Sequence, residues 1–174
     1  DDLNINRYEN TGDGFFQNKL AFQIGVKSEL NINEHNFDVL TEYNQAQPYT
    51  YAHKHPMQNY THMNQALAHP LGANFRENIF IINHTFKKWG TSLKYTYAEY
   101  GADSVGTHYG QNIFISDFLA SGEGGEFSYG NYNGQGILTN LHTLYAEVNY
   151  DLKFARAFAA CAIRNETNKA NNTY

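Results

Sequence analysis

The sequence predicts an all-β protein built from antiparallel strands, and three observations carry that prediction. Charged residues make up 17% of the 174-residue chain, against about a quarter in an ordinary soluble domain, while Phe, Tyr and Trp make up 16%. Asn, Gly, Tyr and Thr are indifferent helix formers, whereas aromatic and β-branched side chains suit a pleated, half-buried surface. Apolar residues recur with period two, and the links between these periodic segments run alternately short and long.

The clearest strand is 19–27, where Leu20, Phe22, Ile24 and Val26 form an apolar row and Lys19, Gln23 and Lys27 lie on the other face. A polar link over 31–35 leads to a second strand at 36–44, with Phe37, Val39, Thr41 and Tyr43 on one side and Leu40 interrupting the polar side. Residues 45–72 hold all three prolines and four of the eight histidines without sustained periodicity, which predicts a long loop, ordered by its Tyr and Met content. In 73–87 the apolar row occupies both parities, so a bulge near Ile79–Ile82 or burial of both faces is expected. A tight turn is placed at Trp89-Gly90, with Gly90 supplying positive φ, before a strand at 91–100. A second long loop spans 101–136 and is flexible by composition at Ser121–Glu126, with a short strand expected inside it at 112–118. Strands at 138–150 and 154–164 follow across a turn at 151–153, the last weakly patterned, and the tail 165–174 does not read as strand.

Several function classes are excluded or disfavoured. The net charge is −5 with a pI near 5.9, and no basic run exceeds Lys87-Lys88, so a nucleic-acid partner is not expected. Cys161 is the only cysteine, which excludes an intrachain disulfide and the Cys-rich zinc modules; a packing role is expected for it. No apolar run is long enough for a transmembrane helix, but the mean hydropathy of −0.61 is compatible with membrane strands, in which only alternate residues face lipid. The chain opens without a signal-like segment, so either it is not exported or a signal is missing from it.

The alternation of link lengths describes an up-and-down meander with long loops at one end and tight turns at the other, as in an outer-membrane barrel. Strands of nine to twelve residues suit a tilted crossing of about 9–11 residues, and Phe15, Phe16, Tyr43, Phe75, Trp89, Tyr97, Tyr100, Tyr150 and Phe154 near strand ends suit interfacial girdles. A soluble β-sandwich that binds carbohydrate also alternates, and pattern alone leaves both open.

The stretch Asn59–Glu77, with its His69-Pro70-Leu71-Gly72-Ala73-Asn74-Phe75 run and upstream Asn64-Gln65, resembles the Wzi-like capsule-assembly family of outer-membrane barrels. It is most similar to the RemB-like gliding-motility branch found in Bacteroidetes; Glu42-Tyr43 and Pro48–Tyr51 add to the likeness, which covers roughly residues 20–163. The resemblance implies a monomeric, non-enzymatic transmembrane β-barrel of the bacterial outer membrane. Its partners would be membrane lipid, capsular polysaccharide or another surface glycan, and surface motility or secretion proteins. The chain would be one barrel portion over 1–174, with outward loops at 45–72 and 101–136. Six strands fall short of the smallest such barrels, of about eight, so a larger whole is expected.

In the first loop, Tyr49, Tyr51, His53, His55, Tyr60, His62 and Asn64 are candidate polysaccharide contacts, since Tyr rings offer flat apolar faces and Asn and His bond hydroxyls. The competing roles for this loop are a structural lid over the barrel mouth and, less favoured, a metal site on the His53-x-His55 pair. No metal and no cofactor is expected. His69–Gly72 reads as structural, with Pro70 fixing φ and Gly72 allowing a left-handed turn. Asp117, Glu123 and Glu126 are set aside as a glycosidase pair because a Gly-rich loop does not preorganise them. Asp103-Ser104-Val105 fits a short bacterial O-glycosylation pattern, and the sequons at Asn59, Asn83, Asn165 and Asn171 are discounted because they matter only in a eukaryotic secretory context.

Overall fold

The computed structural model describes residues 14–63, 65–103, 107–120 and 129–169. Eight strands form: β1 (Ala21–Ile32), β2 (His35–Ala46), β3 (Thr61–His62), β4 (Gln65–Ala66), β5 (Phe75–Phe86), β6 (Trp89–Ala102), β7 (Ile137–Asp151) and β8 (Arg156–Lys169). Six of them make one antiparallel sheet in the order β1-β2-β5-β6-β7-β8; β3 and β4 are a small hairpin inside the first loop. A 3₁₀ turn at Pro56–Gln58 and a single helical turn, α1 (Asp117–Ala120), complete the described elements.

Each strand of the large sheet pairs one-to-one with its neighbour along its whole length, which makes the meander continuous from Ala21 to Lys169. The bulge expected near Ile79–Ile82 is absent: Ile79 and Ile81 fall on one face and Phe80 and Ile82 on the other, in unbroken register. The β5–β6 turn is Lys87-Lys88 rather than Trp89-Gly90, and the left-handed residue is Lys87 at φ 54°, matching Asn33 at φ 55° in the β1–β2 turn. Trp89 and Gly90 already belong to β6. The segment 112–118 turns rather than extends and leads into α1. Strand β8 runs on through Lys169, so Asn165–Lys169, unpatterned by itself, is held extended by β7.

The shared register sorts the side chains. One face carries Ile24, Val26 and Leu30, then Phe37 and Val39, Phe80 and Ile82, Leu93 and Tyr95, Leu144 and Val148, and Ile163. The other face carries Gln23, Lys27 and Glu29, then Asp38, Glu42 and Asn44, Glu77 and Asn83, Ser92 and Lys94, Thr143 and Glu147, and Arg164 and Glu166. Among the described residues no second layer covers the apolar face: Ile24, Val26 and Ile163 are 66%, 65% and 60% exposed. The buried residues instead cluster at the loop end, around Phe15, Phe16, Tyr49, Ala46, Ala73 and Phe75. Cys161, expected to be a packing residue, is exposed and sits in the apolar row opposite Ala146. Among the described residues β1 and β8 each have one neighbour, so the sheet is open at both edges.

Candidate functional site

Both long loops fold back on the sheet end and on each other. Their stems meet at Asn74, which is fully buried with φ 61°. Its amide Nδ2 donates to the carbonyls of Gly101 (3.0 Å) and Gln135 (2.9 Å), and its Oδ1 accepts from the Gly134 amide (2.8 Å). Its backbone amide also donates to the Gln47 carbonyl, so one residue ties the start of loop 45–72, the end of β6 and the entry to β7. Asn is one of the few residues that tolerate this left-handed backbone while offering both a donor and an acceptor.

Further out, Tyr49 donates its hydroxyl to the His108 carbonyl at 2.7 Å, with its ring against Phe16 and His108. Gly110, at φ 80°, lies on the Tyr49 backbone so closely that any Cβ there would collide with it. Gln111 donates to the Leu71 carbonyl, Asn59 to that of Ile113, and Ser116 to that of Lys54. Lys19 crosses beneath, 2.6 Å from Asp117 and 2.8 Å from the Ala52 carbonyl. The described parts of the two loops therefore form a single cap.

Under the cap's edge, loop 45–72 leans over the polar face and encloses an open depression of about 430 Å³ lined by Gln23, Glu42, Asn44, Tyr51, His69 and Phe75 among others. Asn44 donates to Glu42 (2.8 Å) and to Glu77 (3.1 Å). His69 stacks on Phe75 at 4.3 Å, accepts the Leu71 amide on Nδ1, and meets Glu77 through Nε2 at 2.9 Å. Because Nδ1 is an acceptor, the ring proton lies on Nε2 and is donated to the Glu77 carboxylate. The depression thus offers one carboxylate with lone pairs to spare, amides of both polarities and the face of Tyr51, a set suited to bonding hydroxyl groups.

The seven residues singled out in the sequence separate. Tyr51 lines the depression and stacks on Tyr60 at 6.2 Å, with Tyr60 56% exposed. His55 and His62 are exposed and His53 half-buried on the same loop, the His55 amide donating to His53 Nδ1. Tyr49 is fully buried between the loops, and its surroundings push the phenol well above the ordinary tyrosine range, burial being the main cause. Asn64 lies outside the described residues, as do Ser104, Glu123 and Glu126. Sequence reasoning passed over Gln23, Glu42, Asn44 and Glu77; the signal that could have found them is their shared parity at the loop end of β1, β2 and β5. No group of three metal-binding side chains occurs among the described residues. No family model, curated protein or solved structure matches the chain.

Two outcomes follow from the cap. Asn74→Ala strands buried carbonyls and adds left-handed strain, so the cap should weaken by about 3 kcal/mol; Asn74→Gly, which relieves the strain, should weaken it less. Limited proteolysis of both loops reads this, with strand content by circular dichroism unchanged. Burial alone would raise the Asp103 carboxyl, but hydrogen bonds from His108 and the Tyr109 amide outweigh it and hold it below the ordinary carboxylate range. A carboxyl lowered in the folded state stabilises above its unfolded pKa of about 3.9 and loses that contribution as pH falls through its folded value. Loop protection in hydrogen exchange should therefore fall below about pH 4 in the parent protein and show a smaller acid dependence in Asp103→Asn.

Proposed function

We propose that the chain forms part of the wall of a bacterial outer-membrane β-barrel, with its apolar face against lipid and its polar face lining the interior. The observation that carries this reading is the uncovered apolar face of a sheet whose opposite face is polar. In water, that much contiguous apolar surface on a monomer is disfavoured, whereas hydrocarbon covers it at no cost. From the row holding Tyr43 and Tyr97 to the row holding His35, Phe86, Trp89 and Tyr150 is eight residues along each strand. That is about 27 Å of strand, or about 20 Å of depth at a tilt near 40°, close to the apolar band of about 25 Å in such barrels. The rows at its two limits are rich in aromatic rings and imidazoles, as suits a membrane interface. Further strands pairing with β1 and β8 would complete the barrel, since open sheet edges are not tolerated in hydrocarbon. No helix among the described residues is long and apolar enough to cross a membrane, which leaves a crossing by strands open.

The chain is non-enzymatic in this reading. Its cap faces outward, and Tyr51, Tyr60, His53, His55 and His62 present aromatic and hydrogen-bonding surface to a polysaccharide or surface glycan, with the depression at Glu42, Asn44 and His69 beside them. The likeness of 59–77 to Wzi-like and RemB-like proteins favours capsule attachment, adhesion or gliding as the setting, with surface motility or secretion proteins as further partners. A free-standing carbohydrate-binding sandwich is disfavoured because, among the described residues, the only other sheet is the two-stranded β3–β4 hairpin, too small to cover the apolar face of the large one.

Cys161 lies mid-band on the apolar face and is the chain's one thiol. In native membranes it should react slowly with a maleimide, charged or uncharged, because the attacking thiolate does not form in hydrocarbon, and rapidly with both after denaturation; rapid labelling by the charged reagent in intact membranes would sink the lipid-facing assignment. Tyr51→Ala combined with Tyr60→Ala should cut glycan retention at least tenfold while leaving the heat-resistant barrel band in gel electrophoresis, since ring stacking on sugars is worth about 1 kcal/mol or more per ring. Unchanged retention would remove the glycan role and leave the barrel.

A further inference from the structure

The sheet end opposite the cap has its own chemistry. Three turns close it, centred on 33–34, 87–88 and 152–155. Trp89 lies against Tyr150 with ring centroids 4.7 Å apart and is half-exposed on the apolar face. Just beyond this pair the charges are one-sided. Lys87 sits 5.0 Å over the Phe86 ring and 3.1 Å from Glu34, and Arg156 grips Asp151 through two hydrogen bonds of 2.6 and 3.2 Å. Lys88 and Lys153 are exposed, and among the described residues neither has a carboxylate within ion-pair distance. Four cations therefore face two carboxylates in a chain whose net charge is −5. The β7–β8 turn adds a second oddity: Lys153 is flanked by Leu152, 53% exposed, and Phe154, 98% exposed.

We infer that this rim is a docking surface for anionic phospholipid headgroups, with Lys88 and Lys153 meeting lipid phosphates and Leu152 and Phe154 lying in the headgroup zone beside them. The inference rests on the membrane reading above and adds to it a lipid preference confined to one end. The spacing fits. Three residues separate Tyr150 from Lys153, at most about 10 Å of chain, and the headgroup layer on each side of a bilayer is about 5–8 Å thick. Trp and Tyr rings at the inner boundary of that layer, with lysines one turn further out, place each group at the depth its polarity favours. A fully exposed Phe next to a lysine has no partner in water but finds acyl boundary and phosphate together at a membrane surface. Among the described residues the loop end carries no excess of cations, since Lys19, Lys54, Arg76, Arg164 and Lys169 stand there with Glu42, Glu77, Glu99, Asp103, Asp117 and Glu166. The rim therefore also sets which end of the barrel prefers an anionic leaflet.

The test is folding of the intact protein from urea into vesicles of phosphatidylcholine, alone or with one-third phosphatidylglycerol, at low salt. Quenching of Trp89 fluorescence by acyl-chain bromine reads insertion, with Trp89→Phe subtracting any other signal. Insertion should occur in both lipids and need less lipid for half-completion in the anionic vesicles, by about fivefold per lysine and about 25-fold for the two. The preference should shrink as salt shortens the screening length. Lys88→Gln with Lys153→Gln should abolish most of it while leaving insertion into pure phosphatidylcholine unchanged. Insertion with no anionic preference, or a preference that survives in the double variant, would overturn the docking surface and leave the barrel standing. Failure to insert into either lipid would overturn the membrane reading and this inference together.

Discussion

The rest of the structure depends on a single unbroken register across six strands. With a side-chain period of two, a slip of one residue in any pairing would move Ile24, Phe80 or Leu144 to the polar side and bring Lys94 or Glu147 out among the apolar rows. Nothing in the backbone hydrogen bonds forbids such a slip, because every register offers the same ladder. The tight turns at Asn33 and Lys87 fix one end of the β1–β2 and β5–β6 hairpins, and Asn74 ties the chain at the other, so register is pinned from both ends.

The location of the packed core follows. Among the described residues the apolar face packs against no other layer, and the buried side chains lie where the loops fold over the strand ends. Tyr49, Phe16 and Phe75 supply apolar surface there, and hydrogen bonds from the buried Asn74 amide and the Tyr49 hydroxyl to backbone carbonyls join the loops. Such a cap is specific because its partners are backbone carbonyls, which exist at those positions only when both loops take this path. The depression at Glu42, Asn44 and His69 arises where loop 45–72, far longer than the step from β2 to its neighbour β5 requires, folds over the polar ends of β1 and β2.

The two ends of the sheet differ in kind. At the loop end, polar side chains are paired and largely buried, as in Lys19 with Asp117 and the His69 imidazole with the Glu77 carboxylate. At the turn end, aromatic rings sit on the apolar face and lysines project past them. A polar cap on one side and an aromatic, cationic rim on the other is the asymmetry that the proposed orientation across a membrane requires.

The sequence by itself determined the all-β class, the meander with its long and short connections, and the faces of β1 and β2. Strict alternation such as Leu20/Phe22/Ile24/Val26 can be satisfied only by an extended chain with unlike sides. It left three things to the tertiary structure. Ile79–Ile82 carry apolar side chains on both parities, and only pairing with β2 and β6 assigns them without a bulge. Asn165–Lys169 have no strand preference of their own and are extended because β7 offers them a ladder. Among the tyrosines of the first loop, chemistry is identical, and burial alone separates Tyr49, sealed between two loops, from Tyr51 and Tyr60 at the surface. Local pattern encodes which side of a strand is apolar; which loop residues meet each other depends on contacts between segments some sixty residues apart, which no local pattern records.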